Sequence, residues 1–139
     1  MSDTQLEMMP YLFFRGDCEE ALNFYKDILN GRIEIVSRYD NPAMNMPEEF
    51  KNKILHASLH FGNYTLFASD VMPKNKDEQM TSNVAISLAL NDEESARNIF
   101  DRLSSKGEIH IPFKKQFWGD WHGNFKDQFG IRWMVNCSK

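Results

Sequence analysis

The strongest constraint on this chain is a repeated order of elements: strand, capped helix and three further strands, met twice in 139 residues. Met9 to Arg15 (MPYLFFR) is a short apolar run that reads as a strand. Asp17 follows, with Glu20 three residues on, which is capping-box spacing. Ala21, Leu22, Tyr25, Ile28 and Leu29 fall on one face of the helix that begins there. Asn30-Gly31 is expected to end it, with glycine taking the left-handed position. Arg32 to Tyr39 (RIEIVSRY) then alternates as a strand, and Lys53 to Phe61 and Asn63 to Ser69 are two more.

About 75 residues later the order returns. Asn83 to Leu90 (NVAISLAL) is a strand, and Asn91 with Glu94 opens a second helix. Ala96, Ile99, Phe100 and Leu103 form its apolar stripe, and Gly107 stops it. The helices are expected over Asp17 to Leu29 and Asp92 to Ser105. Glu108 to Phe113, a weak Gly123 to Lys126 and Ile131 to Asn136 complete the second set of strands. Asn41 to Lys51 and Val71 to Thr81 carry Pro42, Pro47 and Pro73 and read as loops.

The chain is therefore expected to be α+β: a single domain over 1–139, with module 1 at about 9–70, a linker at 71–81 and module 2 at about 82–137. Each module reads βαβββ. One helix covers one face of such a sheet, so two modules can enclose the remaining faces as a ligand cavity.

Composition narrows the function. The net charge is -4 and no Lys/Arg-rich run appears, so nucleic acid is not an expected partner. Met1 to Glu7 is polar and no apolar stretch reaches the roughly 18 residues of a membrane span, so a cytoplasmic location and no membrane association are expected. Cys18 and Cys137 read as free thiols.

Glu20-Ala21-Leu22-Asn23-Phe24-Tyr25 with Gly31, then Trp118-Gly119, Gly123 and Asp127-Gln128-Phe129-Gly130-Ile131-Arg132-Trp133-Met134-Val135-Asn136, resemble the glyoxalase/bleomycin-resistance/dioxygenase (vicinal-oxygen-chelate) superfamily. The ending resembles its PhnB-like branch, often labelled demethylubiquinone methyltransferase-like. The resemblance runs from Pro10 to Asn136 and implies two βαβββ modules, usually in a homodimer. It also implies a divalent metal held by one residue from each of four strands. Those positions fall on Pro10, Phe67, Asn83 and Met134 here; three of them cannot bind a hard or borderline cation, and Asn83 is at best a weak oxygen ligand. No metal and no cofactor are expected. The seven glycines are scattered, and no Gly-rich βα turn supports a conventional methyltransferase.

Alternation gives the candidate site. Val84, Ile86, Leu88 and Leu90, with Ile131, Trp133 and Val135, are expected to face the helices. That leaves His56, Ser58, His60, Ser87, Arg132, Met134 and Asn136 facing inward, with Phe14 and Phe67 among them, and Trp118 is a further candidate ligand contact. His56 and His60 lie about 13 Å apart along a strand, too far to share one ion. His110 reads as structural and His122 as a turn residue beside Trp118. Arg132 is the fixed charge of the set, so the expected ligand is a small molecule, anionic or aromatic. The leading reading is a small-molecule-binding protein without the glyoxalase-type metal, with no catalytic residue assigned. The alternatives are a metal-dependent lyase, isomerase or dioxygenase with displaced ligands, and a dimeric interaction protein with a vestigial cavity.

Overall fold

A computed structural model describes residues 5–72 and 83–138. Its described residues form two compact units, one of residues 5–26 and 31–72, the other of residues 27–30 and 83–138. Residues 73–81 of the expected linker at 71–81 lie outside the described residues, as does residue 82.

In the first unit the elements are β1 (Tyr11–Phe14), α1 (Cys18–Leu29) as far as Lys26, β2 (Arg32–Arg38), β3 (Ile54–Phe61) and β4 (Tyr64–Asp70). The sheet order is β1-β4-β3-β2, with β1 parallel to β4 and the other pairs antiparallel. In the second unit they are β5 (Ile86–Leu90), α2 (Glu93–Ser104), β6 (Glu108–Lys115), β7 (Trp121–Lys126) and β8 (Arg132–Cys137). Their order, β5-β8-β7-β6 with a parallel β5–β8 pair, repeats the first. The duplication read in the sequence is thus a duplication of topology, in the α+β class. The proline-bearing stretch before β3 is not wholly irregular. It holds two single 3-10 turns, Pro42–Met44 and Glu48–Phe50.

Each sheet buries one face. In the first unit Leu12, Phe14, Ala57, Leu59, Leu66 and Ala68 are buried, as are Cys18, Ala21, Leu22 and Tyr25 of α1. Phe14 was expected among the inward residues, but the alternation of β1 puts it with Leu12 on the buried face, and Tyr11 and Phe13 take the other. In the second unit Phe125, Trp133, Val135 and Cys137 are buried with Ala96, Phe100 and Leu103 of α2. Ile86, Leu88 and Leu90 are half-buried on that side. Val84 is 68% exposed, because β5 begins only at Ile86.

The helix ends depart from the sequence reading in one consistent way. Asn30 and Lys106 are the left-handed residues, at φ 57° and 63°. The glycines after them serve close approach instead. A Cβ on Gly31 would lie 2.8 Å from the carbonyl oxygen of His60, and one on Gly107 would run into the backbone of Lys126 and Asp127.

The N-terminal caps also differ. The α1 start is capped across the fold: Oδ1 of buried Asp70 accepts from the N–H of Gly16 (2.7 Å) and Cys18 (3.0 Å), and Oδ2 accepts from Ile54 (2.9 Å). One carboxylate at the end of β4 so ties together the helix start and β3. The α2 cap is Asp92, not Asn91, and its side chain accepts from the backbone N–H of Ser95 at 2.9 Å.

Candidate functional site

The faces opposite the buried ones carry polar and aromatic side chains. On the first unit Tyr11, His56, Ser58, His60, Thr65 and Phe67 share that face, from strand alternation and register. The Tyr11 hydroxyl lies 2.9 Å from Nδ1 of His56, and the Phe67 ring lies against both rings at centroid distances of 5.9 and 5.2 Å. Burial, ahead of nearby Tyr39 and Cys18, pushes the Tyr11 phenol up, so it keeps its proton at neutral pH. His60 belongs to a separate cluster. Its Nε2 is 2.9 Å from Ser58 Oγ, its Nδ1 is 3.0 Å from Thr65 Oγ1, and Glu34 approaches Nε2 at 3.7 Å. The two histidines thus bond different partners. Ser58 is only 3% exposed, which makes it a support for His60 more than a group that meets solvent.

On the second unit the polar groups form one chain. Nδ2 of Asn136 donates to Ser87 Oγ at 3.0 Å and to the carbonyl of Leu88 at 3.4 Å. Its Oδ1 stands 2.7 Å from Nδ1 of His122, whose Nε2 is 3.1 Å from Nδ2 of Asn124. A backbone carbonyl only accepts, so Leu88 fixes the orientation of the Asn136 amide. Asn136 then presents its oxygen to His122, whose proton sits on Nδ1, and Nε2 accepts from Asn124. Met134 and Arg132 alternate with Asn136 on the same face of β8, and all three are half-buried.

Ser87, Asn136 and Met134 therefore come together, while Arg132 stands at the other end of β8. Trp118 lies in the β6–β7 connection, half-exposed, its ring centroid 6.4 Å from that of His122 and 4.9 Å from that of the almost fully exposed Phe117. His122 is not a turn residue. β7 starts at Trp121, two residues before the expected strand, which puts the imidazole on the sheet. His110 is exposed and bonds Glu108 at 2.8 Å, holding that carboxyl below its usual range. Sequence reasoning missed Tyr11, His122 and Asn124. The signal that could have found them is register.

That register makes the two faces equivalent. Tyr11 pairs with Phe67 and Ser58 with Phe67, as Ser87 and Asn124 pair with Met134. His56 and His122 each stand two residues before Ser58 and Asn124. Each module thus carries one histidine at the same place, held through Nδ1 by a neutral side chain.

The four positions that would hold a vicinal-oxygen-chelate metal do not fit one. Phe67 offers a ring already packed on His56, and Met134 a soft thioether. Pro10 has no side-chain donor, and its carbonyl accepts from the N–H of Phe67 at 2.9 Å. Asn83 is exposed and precedes β5. Among the described residues no group of three or more His, Cys, Asp or Glu is placed to hold a metal ion. Cys18 and Cys137 are free and buried, and burial, with Asp70 beside it, pushes the Cys18 thiol far up, so it is not a nucleophile at neutral pH. Among the described residues no helix is long and apolar enough to cross a membrane.

Comparison with known proteins agrees with this architecture. The crystal structure of protein PA1353 from Pseudomonas aeruginosa is 36% identical, with a TM-score of 0.83, covering 96% of this chain and 98% of that one. The PhnB protein of Bacillus cereus, which bears the name 3-demethylubiquinone-9 3-methyltransferase, superposes at a TM-score of 0.82 with 24% identity, over 96% of this chain and 100% of its own. Protein YjdN of Escherichia coli (strain K12) is 27% identical over 144 residues, 96% of this chain and 97% of its own. Residues 8–135 match the profile of the Glyoxalase/Bleomycin resistance protein/Dioxygenase superfamily. The chain belongs to that superfamily.

Proposed function

We propose that the two modules act as one domain that binds a small molecule on the polar faces of its sheets, without the metal of the superfamily's enzymes. One observation carries this reading. On each sheet the face opposite the core holds a histidine fixed by neutral hydrogen bonds, beside an apolar side chain at the place of a metal ligand. Rigid polar groups set among apolar ones are the usual chemistry of a ligand site. Phe67, Met134 and Trp118 would supply apolar contact for an aromatic ligand, and Arg132 a charged contact. The protein is proposed to work as a homodimer, as the superfamily resemblance implies, and to do so in the cytoplasm.

The test is a thermal-shift screen of aromatic and anionic small molecules, with hits mapped by NMR, alongside metal analysis of protein purified without chelator. A hit that perturbs His56, His122 and Asn136 supports the reading. One equivalent of a transition metal, lost on chelation together with an activity, would overturn it. A sedimentation mass near 16.3 kDa at micromolar concentration would sink the dimer.

A further inference from the structure

We infer that the end of the second sheet formed by Ser87, His122, Asn124 and Asn136 takes an uncharged group carrying both a hydrogen-bond donor and an acceptor, such as a carboxamide. This rests on the small-molecule reading above and narrows it to a ligand class.

The argument is an accounting of hydrogen-bond capacity along the chain of side chains. It starts at the Leu88 carbonyl, which can only accept. Asn136 spends its N–H groups on Leu88 and Ser87, and its oxygen on His122. His122 spends the proton on Nδ1 on Asn136 and the lone pair of Nε2 on Asn124. His122 has no polar capacity left for a ligand, and Asn136 keeps only the second lone pair of its oxygen. The rest lies at the two ends. Ser87 already accepts through Oγ, so its hydroxyl proton is available to donate. Asn124 uses one N–H on His122, so its Oδ1 and its second N–H are available.

Asn124 offers a donor and an acceptor on one amide, and Ser87, on the other side of β8, a further donor and a further acceptor lone pair, with no formal charge in the set. A carboxylate meeting Asn124 would set its oxygens against Oδ1, while a carboxamide can give and receive at the same time. An isolated carboxylate brought onto this neutral set would lose hydration without a cation in return. Arg132 lies four residues earlier on β8, about 13 Å along the strand, so it would meet a different part of any ligand. Met134 pairs with both Ser87 and Asn124 in register and places an apolar side chain between the two ends. Trp118, near His122, adds a flat surface for a ring. An aryl carboxamide has the shape and the polarity this arrangement complements.

Benzamide and benzoate form a matched pair of probes differing in charge and donor capacity. Each is titrated into the labelled protein at millimolar concentration, following the His122 ring and the Asn124 and Asn136 side-chain amide signals. The expected result is saturable shifts with benzamide, at least tenfold weaker binding of benzoate, and loss of the benzamide shifts in Asn124→Leu. A dispersed spectrum of that variant shows that it remains folded. Benzoate binding at these residues as tightly as benzamide would overturn the ligand class and leave small-molecule binding standing. Benzamide binding unaffected by Asn124→Leu would overturn the placement. Shifts from neither probe at these residues would overturn the inference, and hits from the thermal-shift screen mapped elsewhere would show that the wider reading survives.

Discussion

The indole N–H of Trp133 donates to Oδ2 of Asp127 at 2.8 Å, between two buried side chains. Oδ1 of the same carboxylate accepts from the backbone N–H of Phe129 and Ile131, both at 2.9 Å. The Asp-x-Phe-Gly-x-x-Trp ending that marks the resemblance is therefore a clamp on the β7–β8 connection. It holds β8 in the register that puts Arg132, Met134 and Asn136 on the polar face. Trp133→Phe removes one donor from a buried carboxylate and should cost about 1.5–3 kcal/mol, the range for a hydrogen bond to a charged group. Urea denaturation followed by circular dichroism measures it, and an unchanged midpoint would show that the indole bond contributes nothing.

Asp70 makes the same kind of clamp on the first unit, and a second prediction follows from its three backbone donors. Asp70→Ala leaves the N–H groups of Gly16, Cys18 and Ile54 without that acceptor and should cost about 3 kcal/mol or more. Asp70→Asn keeps one oxygen but turns an amide toward a donor, so it should fall between alanine and the native protein. Equal stability of the alanine variant and the native protein in equilibrium urea titrations would refute the clamp.

These clamps show where the sequence was readable. Element order was legible because period-two and period-3.6 apolar patterns are local, and Trp133 and Val135 were rightly expected on the helix side. The cap of α1 was not, because its acceptor is 52 residues from Cys18 in the chain. Gly31 and Gly107 were noticed for a reason the backbone does not use, since their close contacts belong to strands far along the chain. The candidate site was half legible. Alternation put His56, Ser58, His60, Ser87, Met134 and Asn136 on the polar faces, but the early start of β7 hid His122, and a one-residue phase error in β1 put Phe14 there in place of Tyr11 and Phe13.

Acid should loosen specific places first. Arg38 bonds Glu19 at 2.9 and 3.2 Å and holds its carboxyl below the usual range, and Ser95 does the same to Asp92. A depressed carboxyl contributes stability at pH above its ordinary value, and the contribution is lost as pH falls through the lowered one. Both groups are largely exposed, so the effect is small and local. The hydrogen-exchange protection factor of the Ser95 amide should therefore fall as pH drops through the acidic range, and Asp92→Asn should flatten that dependence. An unchanged slope in the variant would mean that the cap carries none of it.

The orientation of the His122 ring gives the last prediction. Leu88 accepts from Asn136, so Asn136 offers oxygen, so the imidazole carries its proton on Nδ1. That tautomer is the less common one for a free neutral imidazole, and here it is imposed by a backbone carbonyl two hydrogen bonds away, through Asn136. Long-range ¹H–¹⁵N correlation of the ring at pH well above neutrality should show Nδ1 protonated and Nε2 bare. Asn136→Ala removes the acceptor and should return the ring to a mixture of both forms, while leaving the buried Trp133 and Val135 face undisturbed. Protonated Nε2 in the native protein would mean that the Asn136 amide is turned around. The same turn would leave Asn124 offering its oxygen to His122, exchange donors for acceptors along the chain, and undo the hydrogen-bond accounting on which the carboxamide assignment stands.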